Sequence, residues 1–416
     1  MSHPKNKIIN DPIYGFIHIP FDIIWDIIAH PYFQRLRRIS QLGLSSLVYP
    51  GAKHTRFHHA IGAMHLMNQA IQILQSKGHK ITKTEHKASL ISILLHDIGH
   101  GPFSHALENS IVDNLSHEQL SIMFMNELNK AFKGQLTTAI EIFENKYEKR
   151  FLNQLVSSQL DVDRLDYLNR DSFYSGVNEG IVNSDRIITM LNISNNELVV
   201  DYKGIYSIEK FIIARKLMYW QVYLHKTVLS AEHTLMKILK RAKYLAKHKK
   251  TIYTTPDFEK FLYETQIIDQ KFFLKNRLIA NFATLDDADI ITCIKNWRNS
   301  EDTVLRFLSN TIMNRQLLKI KSTNKKNTKK ITTQIKQQVI EKLKLKPIDV
   351  EYLVFSISVQ NATYNLIDDE IKLMKKNNQL IKLSEIKHDF NINRRNANII
   401  KHYICYPEGC DNEIEF

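Results

Sequence analysis

The sequence predicts a mainly α protein with a short amino-terminal hairpin and a smaller α/β region at the carboxy end. Three observations predict it. Only 12 Gly and 9 Pro interrupt 416 residues, too few turn-formers for a sandwich of many short strands. Apolar residues recur at the 3.6-residue helical spacing through most of residues 21–240. After residue 350 the pattern changes to the alternation of strands.

Within residues 1–20, Asp11-Pro12-Ile13-Tyr14-Gly15 turns between alternating flanks and reads as a hairpin. Helical spacing then covers 21–28, 33–42, 61–74, 87–96, 118–132 and 137–143. Breaks fall at His30-Pro31, Gly43, Pro50-Gly51 and Gly99 to Pro102. Residues 85–95 are apolar at nearly every inner position, as expected of a helix buried on most sides. Another helix runs from near Tyr206 past Lys240, and its Tyr219, Trp220 and Tyr223 read first as core packing. Residues 351–360 alternate like a strand, and 370–374 with 379–383 flank Lys375-Lys376-Asn377-Asn378 like a hairpin. The expected organisation is a hairpin over 1–20, a helical core and extension over 21–310, and a basic linker or helix with a small α/β domain over 311–416. Residues 322–330 are the best linker candidate.

Composition excludes several classes. No apolar run approaches the roughly 18 residues of a membrane-spanning helix. The first residues lack the apolar stretch of a secretory signal, and Cys293, Cys405 and Cys410 are the only cysteines, so a reducing, cytoplasmic setting is expected. Cys405, Cys410 and His402 lack the further ligands zinc requires, and a surface turn is expected there. Net charge is +14, with 11 Lys/Arg against the single acid Glu341 between Arg315 and Lys346. Such a segment draws polyanions by field alone. It holds no Phe, Trp or Tyr, which argues against a base-stacking groove and lowers a nucleic-acid-binding or nuclease reading.

The chemistry concentrates at His96-Asp97-Ile98-Gly99-His100-Gly101-Pro102-Phe103-Ser104-His105, which leaves the end of the buried helix. Ionisable groups there are costly unless paired or bound to a cation. Two neighbours on a helix diverge by about 100°, so His96 and Asp97 can both reach one ion beyond the helix end. Arg56-Phe57-His58-His59 upstream and Asp161-Val162-Asp163-Arg164-Leu165-Asp166-Tyr167 downstream supply matching ligand types on two further helices. Imidazole and carboxylate suit Mn, Fe, Co or Ni, or Mg where water completes the shell.

In this order, these blocks resemble the HD-domain phosphohydrolases. With Asp11–Gly15, Phe33 to Gly43, Tyr49 to His59, Ser116-His117-Glu118 and Asp161 to Asp171, they are most similar to the deoxynucleoside triphosphate triphosphohydrolase branch, over about residues 8–240. The resemblance implies an HD helical bundle and a divalent metal held by His59, His96, Asp97 and Asp163. The resemblance also prefers His59 to His58, because the family spacing is Arg, two residues, then His. It further implies that His105, His117, Glu108 and His100 act in catalysis, and that Gln41, Leu42, Arg56, Arg164, Tyr167, Asp171, Arg215 and Tyr223 surround the substrate. Glu108 stands where the branch often has Asp, and Arg164 replaces a Lys. Without the resemblance, Arg164, Asp166 and Asp171 read as an ion-pair ladder on a helix. The expected reaction is metal-activated water attack on the α-phosphorus of a dNTP, releasing deoxynucleoside and triphosphate. Another nucleotide, a signalling nucleotide or a phosphomonoester, is the alternative substrate. A homodimer or homotetramer and a nucleotide effector complete the expected partners, with no membrane.

Overall fold

In the computed structural model, residues 7–108, 110–112, 115–324, 327–361, 370–386, 399–412 and 414 are described, without the side chains of His105, Asn361 and Ile399. Strands Ile8–Asp11 and Gly15–His18 pair antiparallel around the Asp11–Gly15 turn, the predicted hairpin. Asp11 closes it by accepting from the Ile13 and Tyr14 amides at 2.9 and 3.1 Å.

Three helices carry the metal-ligand candidates, and each starts where local chemistry dictates. Thr55 and His58 form a capping box at helix Arg56–Ser76, which gives His58 a structural role. Thr82 and Glu85 do the same for Lys83–Leu95, and Asp161 caps Val162–Ser175 through the Arg164 amide. Helix Arg56–Ser76 packs between the other two. Leu90, Ile91, Ile93, Leu94 and Leu95 are fully buried, so the nearly all-apolar reading of this helix holds. Burial of each contributes about 1.5–3 kcal/mol. Such a core fixes the direction in which His96 and Asp97 emerge.

Several elements differ from the sequence reading. The helix expected over 33–42 is two short turns, Pro31–Gln34 and Arg35–Arg38, because buried Arg35 reaches out to the loop after Leu95 and the chain bends around it. The long helix after Tyr206 is divided: Ile205–Met218 widens into a π turn at Tyr219–Tyr223, breaks at Leu224, and resumes as Lys226–Lys247. Leu191–Ser194 and Glu197–Asp201 form an unforeseen hairpin within the helical region. The predicted carboxy-terminal hairpin, Lys372–Met374 with Leu380–Lys382, extends that sheet by pairing parallel to Glu197–Asp201. A second sheet orders Lys319–Thr323, Ile399–Tyr406 and Phe355–Asn361, beside helix Thr328–Leu343. The linker candidate is therefore strand through Thr323 and helix from Thr328, with Lys325 and Lys326 outside the described residues.

Cys405 and Cys410 are buried, not on a surface turn: Cys405 lies in the central strand of that sheet and Cys410 packs into the core. The basic segment is locally offset. Lys319 pairs with Glu408, Lys321 with Asp411 and Lys336 with Glu351. Among the described residues, no helix is long and apolar enough to cross a membrane.

Candidate metal centre and active cleft

The side chains of His59, His96, Asp97 and Asp163 converge. His59 Nε2 lies 3.3 Å from His96 Nε2, 3.0 Å from Asp163 Oδ1 and 3.7 Å from Asp97 Oδ2. His96 Nε2 lies 3.5 Å from Asp163 Oδ1 and 3.4 Å from Asp97 Oδ1. The far side of each ring is already engaged. His59 Nδ1–H donates to Asp166 Oδ2 at 2.8 Å, and His96 Nδ1–H donates to the Ile93 carbonyl at 2.6 Å. Both rings therefore present Nε2 to the shared centre. Two such nitrogens and two carboxylates repel one another unless a positive charge sits among them.

Electrostatics agree with that need. Burial alone would lower the His59 pKa, but hydrogen bonds to Asp163 and Asp166 outweigh it and push it up to about 10. Asp163, which burial would raise, is held far below the carboxylate range by His59 and His96. Asp97 is likewise raised by burial but held well below its usual value, chiefly by the Arg56 guanidinium and then by His96 and His100. The donor set, two imidazoles and two ionised carboxylates with oriented rings, fits a divalent cation. His59, His96 and Asp163 have ligand atoms close enough to share one ion.

A second ring of contacts supports these four. Arg56 bonds Asp97 directly and donates from Nε to Ser104 Oγ at 2.8 Å. Asp166 is gripped by Arg170 through Nε at 2.8 Å and Nη2 at 2.9 Å, and Arg170 Nη1 reaches Asp11 Oδ2 at 2.8 Å. The Asp11 hairpin and the metal helix are thereby joined through one buried guanidinium. Arg35 donates to the Ile98 and His100 carbonyls at 2.7 and 2.8 Å and so pins the Gly99–His100 turn. Gly99 is required there: a Cβ would collide with the backbone of His117 and Leu120.

From the centre opens a cleft of about 400 Å³. Gln41, Leu42, Arg56, Asp97, His100, His117, Asp163, Arg164, Tyr167, Asp171 and Tyr223 all line it, each named from sequence. His100 stacks on His117 with ring centres 4.1 Å apart, and Glu108 Oε1 accepts from His117 Nδ1 at 2.8 Å. Asp171 accepts from Tyr223 Oη at 2.7 Å and pairs with His54 Nε2 at 2.7 Å. Arg164 pairs with Asp161, its own helix cap, and Arg170 pairs with Asp166 four residues earlier, so part of the expected ladder exists beside the cleft. Arg215 is not a lining residue. It is buried behind the wall, with Nη1 3.3 Å from Gln159 Oε1, and its charge is felt by Tyr167. The His105 side chain lies outside the described residues.

Sequence reasoning missed Arg35, His54, Tyr219 and Glu232. Arg35 and His54 sit inside quoted blocks, where neighbouring charged and polar residues hide them. Tyr219 and Glu232 lie on helix faces that look ordinary in sequence, and nothing short of the fold brings them to the cleft.

Comparison with known proteins gives the lineage. A family model described as "HD associated region" matches residues 182–261, downstream of the metal helices. The uncharacterised protein YwfO of Bacillus subtilis is 33% identical over 320 residues, covering 75% of this chain and 71% of that protein. A deoxynucleoside triphosphate triphosphohydrolase SAMHD1 homolog of Dictyostelium discoideum is 34% identical over 251 residues, 56% of this chain but 48% of its own length, so the chain spans about half of that relative. The crystal structure of a phosphohydrolase from Bacteroides thetaiotaomicron superposes with a TM-score of 0.91 at 47% identity, covering 96% of this chain and 99% of that one. An enzyme of the phosphohydrolase class is thus indicated by geometry and relatives alike, and the chain belongs to the HD-domain phosphohydrolases, in the branch that includes the SAMHD1 proteins.

Proposed function

We propose that this protein is a metal-dependent deoxynucleoside triphosphate triphosphohydrolase. The observation that carries the reading is the meeting of His59, His96, Asp97 and Asp163 at one end of a cleft whose wall continues through Arg164, Tyr167, Asp171 and Tyr223. A divalent cation bound there would acidify water and offset phosphate charge.

The chain's own residues do the rest. Arg56 and Asp166 hold Asp97 and His59 in place, so the ligands need no rearrangement. Arg164 stands one residue from Asp163 and offers its guanidinium to the phosphate chain. Asp171 and Tyr223, two turns along the same wall, suit a sugar hydroxyl, with Gln41 and Leu42 also in the lining. His117, with Nδ1 on Glu108, can carry a proton on Nε2 for the departing oxygen, a role shared with His105 in this reading. Water oxygen bonds to the α-phosphorus, the bond to the 5′ oxygen breaks, and that oxygen takes the proton.

Nucleic-acid binding draws less support, because acidic partners offset Lys319, Lys321 and Lys336. Incubation with Mn and each dNTP, followed by anion-exchange separation, is expected to yield deoxynucleoside and inorganic triphosphate in equal amounts. Release of pyrophosphate or orthophosphate alone would refute attack at the α-phosphorus. Equal turnover of ribo- and deoxynucleotides would refute the reading of the sugar by this wall of the cleft.

A further inference from the structure

Glu232, on helix Lys226–Lys247, lines the same cleft and has no part in the chemistry above. No hydrogen bond or ion pair to it is found among the described residues. Its carboxyl group lies against Gly43, next to Leu42: a Cβ on Gly43 would sit 3.3 Å from Glu232 Oε1. Gly43 has φ +48°, a conformation glycine adopts without strain, so the turn depends on the missing side chain, while a Cβ there would ask Glu232 to shift by only a few tenths of an ångström. A carboxyl without a partner in a protein wall is costly, and burial pushes its pKa up to about 8.

Its place along the cleft says what it would meet. Asp163 and Asp171 are eight residues apart on one helix, about 12 Å at 1.5 Å per residue. A ligand with its phosphates beside Asp163 and Arg164 has its nucleoside end beside Asp171, Tyr223 and the Gln41–Leu42 wall. Around Gly43 the polar lining side chains are Gln41, Ser45 and Glu232, and of these Glu232 alone carries a carboxyl group, with two oxygens side by side. We propose that Glu232 is a specificity-determining residue that hydrogen-bonds the edge of the substrate's nucleobase. This rests on the dNTP reading above and deepens it.

The chemistry of the group predicts discrimination. A neutral carboxyl pairs one donor and one acceptor, the complement of a ring nitrogen beside an exocyclic amine. An ionised carboxylate presents two acceptors, the complement of the two adjacent N–H donors on a guanine edge. The four bases present different edges, so removal of the carboxyl must affect them unequally.

The experiment measures kcat and KM for all four dNTPs with the unaltered protein, E232A and E232M. Met keeps most of the volume without hydrogen bonding, so at least one variant should retain the fold, checked by metal content and unfolding midpoint. We expect KM for the preferred dNTP to rise about tenfold, and the ratios of kcat/KM among bases to shift by about fivefold or more. Ratios within about twofold of the unaltered protein in both variants would overturn the proposal and leave the dNTP reading standing. A uniform fall in kcat across all bases would overturn it too, since that marks a catalytic or structural effect. Absence of dNTP turnover by the unaltered protein would overturn both.

Discussion

Asp97→Ala is expected to lose bound metal and at least about 10³-fold in turnover, the consequence of removing several kcal/mol of charge stabilisation from the reacting centre. Asp97 faces both histidine Nε2 atoms and is the carboxylate that Arg56 holds. Its removal also leaves the buried Arg56 guanidinium without its acid, so some loss of stability accompanies the loss of function. Asp97→Asn separates the two, because it keeps the shape and a hydrogen-bonding oxygen for Arg56 while deleting the charge. Metal content after dialysis, turnover and unfolding midpoint of both variants check this. Full activity in Asp97→Asn would mean that its charge has no place in the reaction.

The second large effect falls on a residue that touches no substrate. Arg170 is fully buried, grips both oxygens of Asp166, reaches Asp11, and lies 5.7 Å from the Tyr14 ring centre. Arg170→Ala strands two buried carboxylates, and breaking such an arrangement costs about 3–5 kcal/mol. Asp166 also orients His59, so metal affinity is expected to fall by about 10–100-fold in the same variant. Urea unfolding and a metal titration measure the two together. Loss of stability with unchanged metal affinity would show that Asp166 does not set the His59 ring.

These residues also show what was legible in the sequence. The metal ligands could be read because His96 and Asp97 leave the end of a nearly all-apolar helix, and because the family resemblance picked His59 and Asp163 out of two other blocks. Asp11-Pro12-Ile13-Tyr14-Gly15 was legible as a turn. That Asp11 also serves Arg170, 159 residues away, was not, since no local pattern encodes a buried ion pair of that span. The hairpin of Leu191–Ser194 and Glu197–Asp201 escaped because its strands have four and five residues, too few for alternation to emerge, and so did the pairing of the predicted Lys372–Met374 and Leu380–Lys382 hairpin with it. One cue was present: Asn195-Asn196, both at positive φ, is the chemistry of a tight hairpin turn between two short apolar runs. The division after Tyr206 was hidden for the opposite reason, since Tyr219–Tyr223 keeps helix-compatible residues while its backbone widens.

The central claim is that one cation is shared by side chains from three helices with a cleft open beside it. Anomalous scattering from crystals grown with Mn tests it most directly. The account predicts a strong peak bonded to His59, His96, Asp97 and Asp163 together. A peak held by Asp97, His100 and His117 without His59 and Asp163, or no peak at saturating Mn, would contradict it.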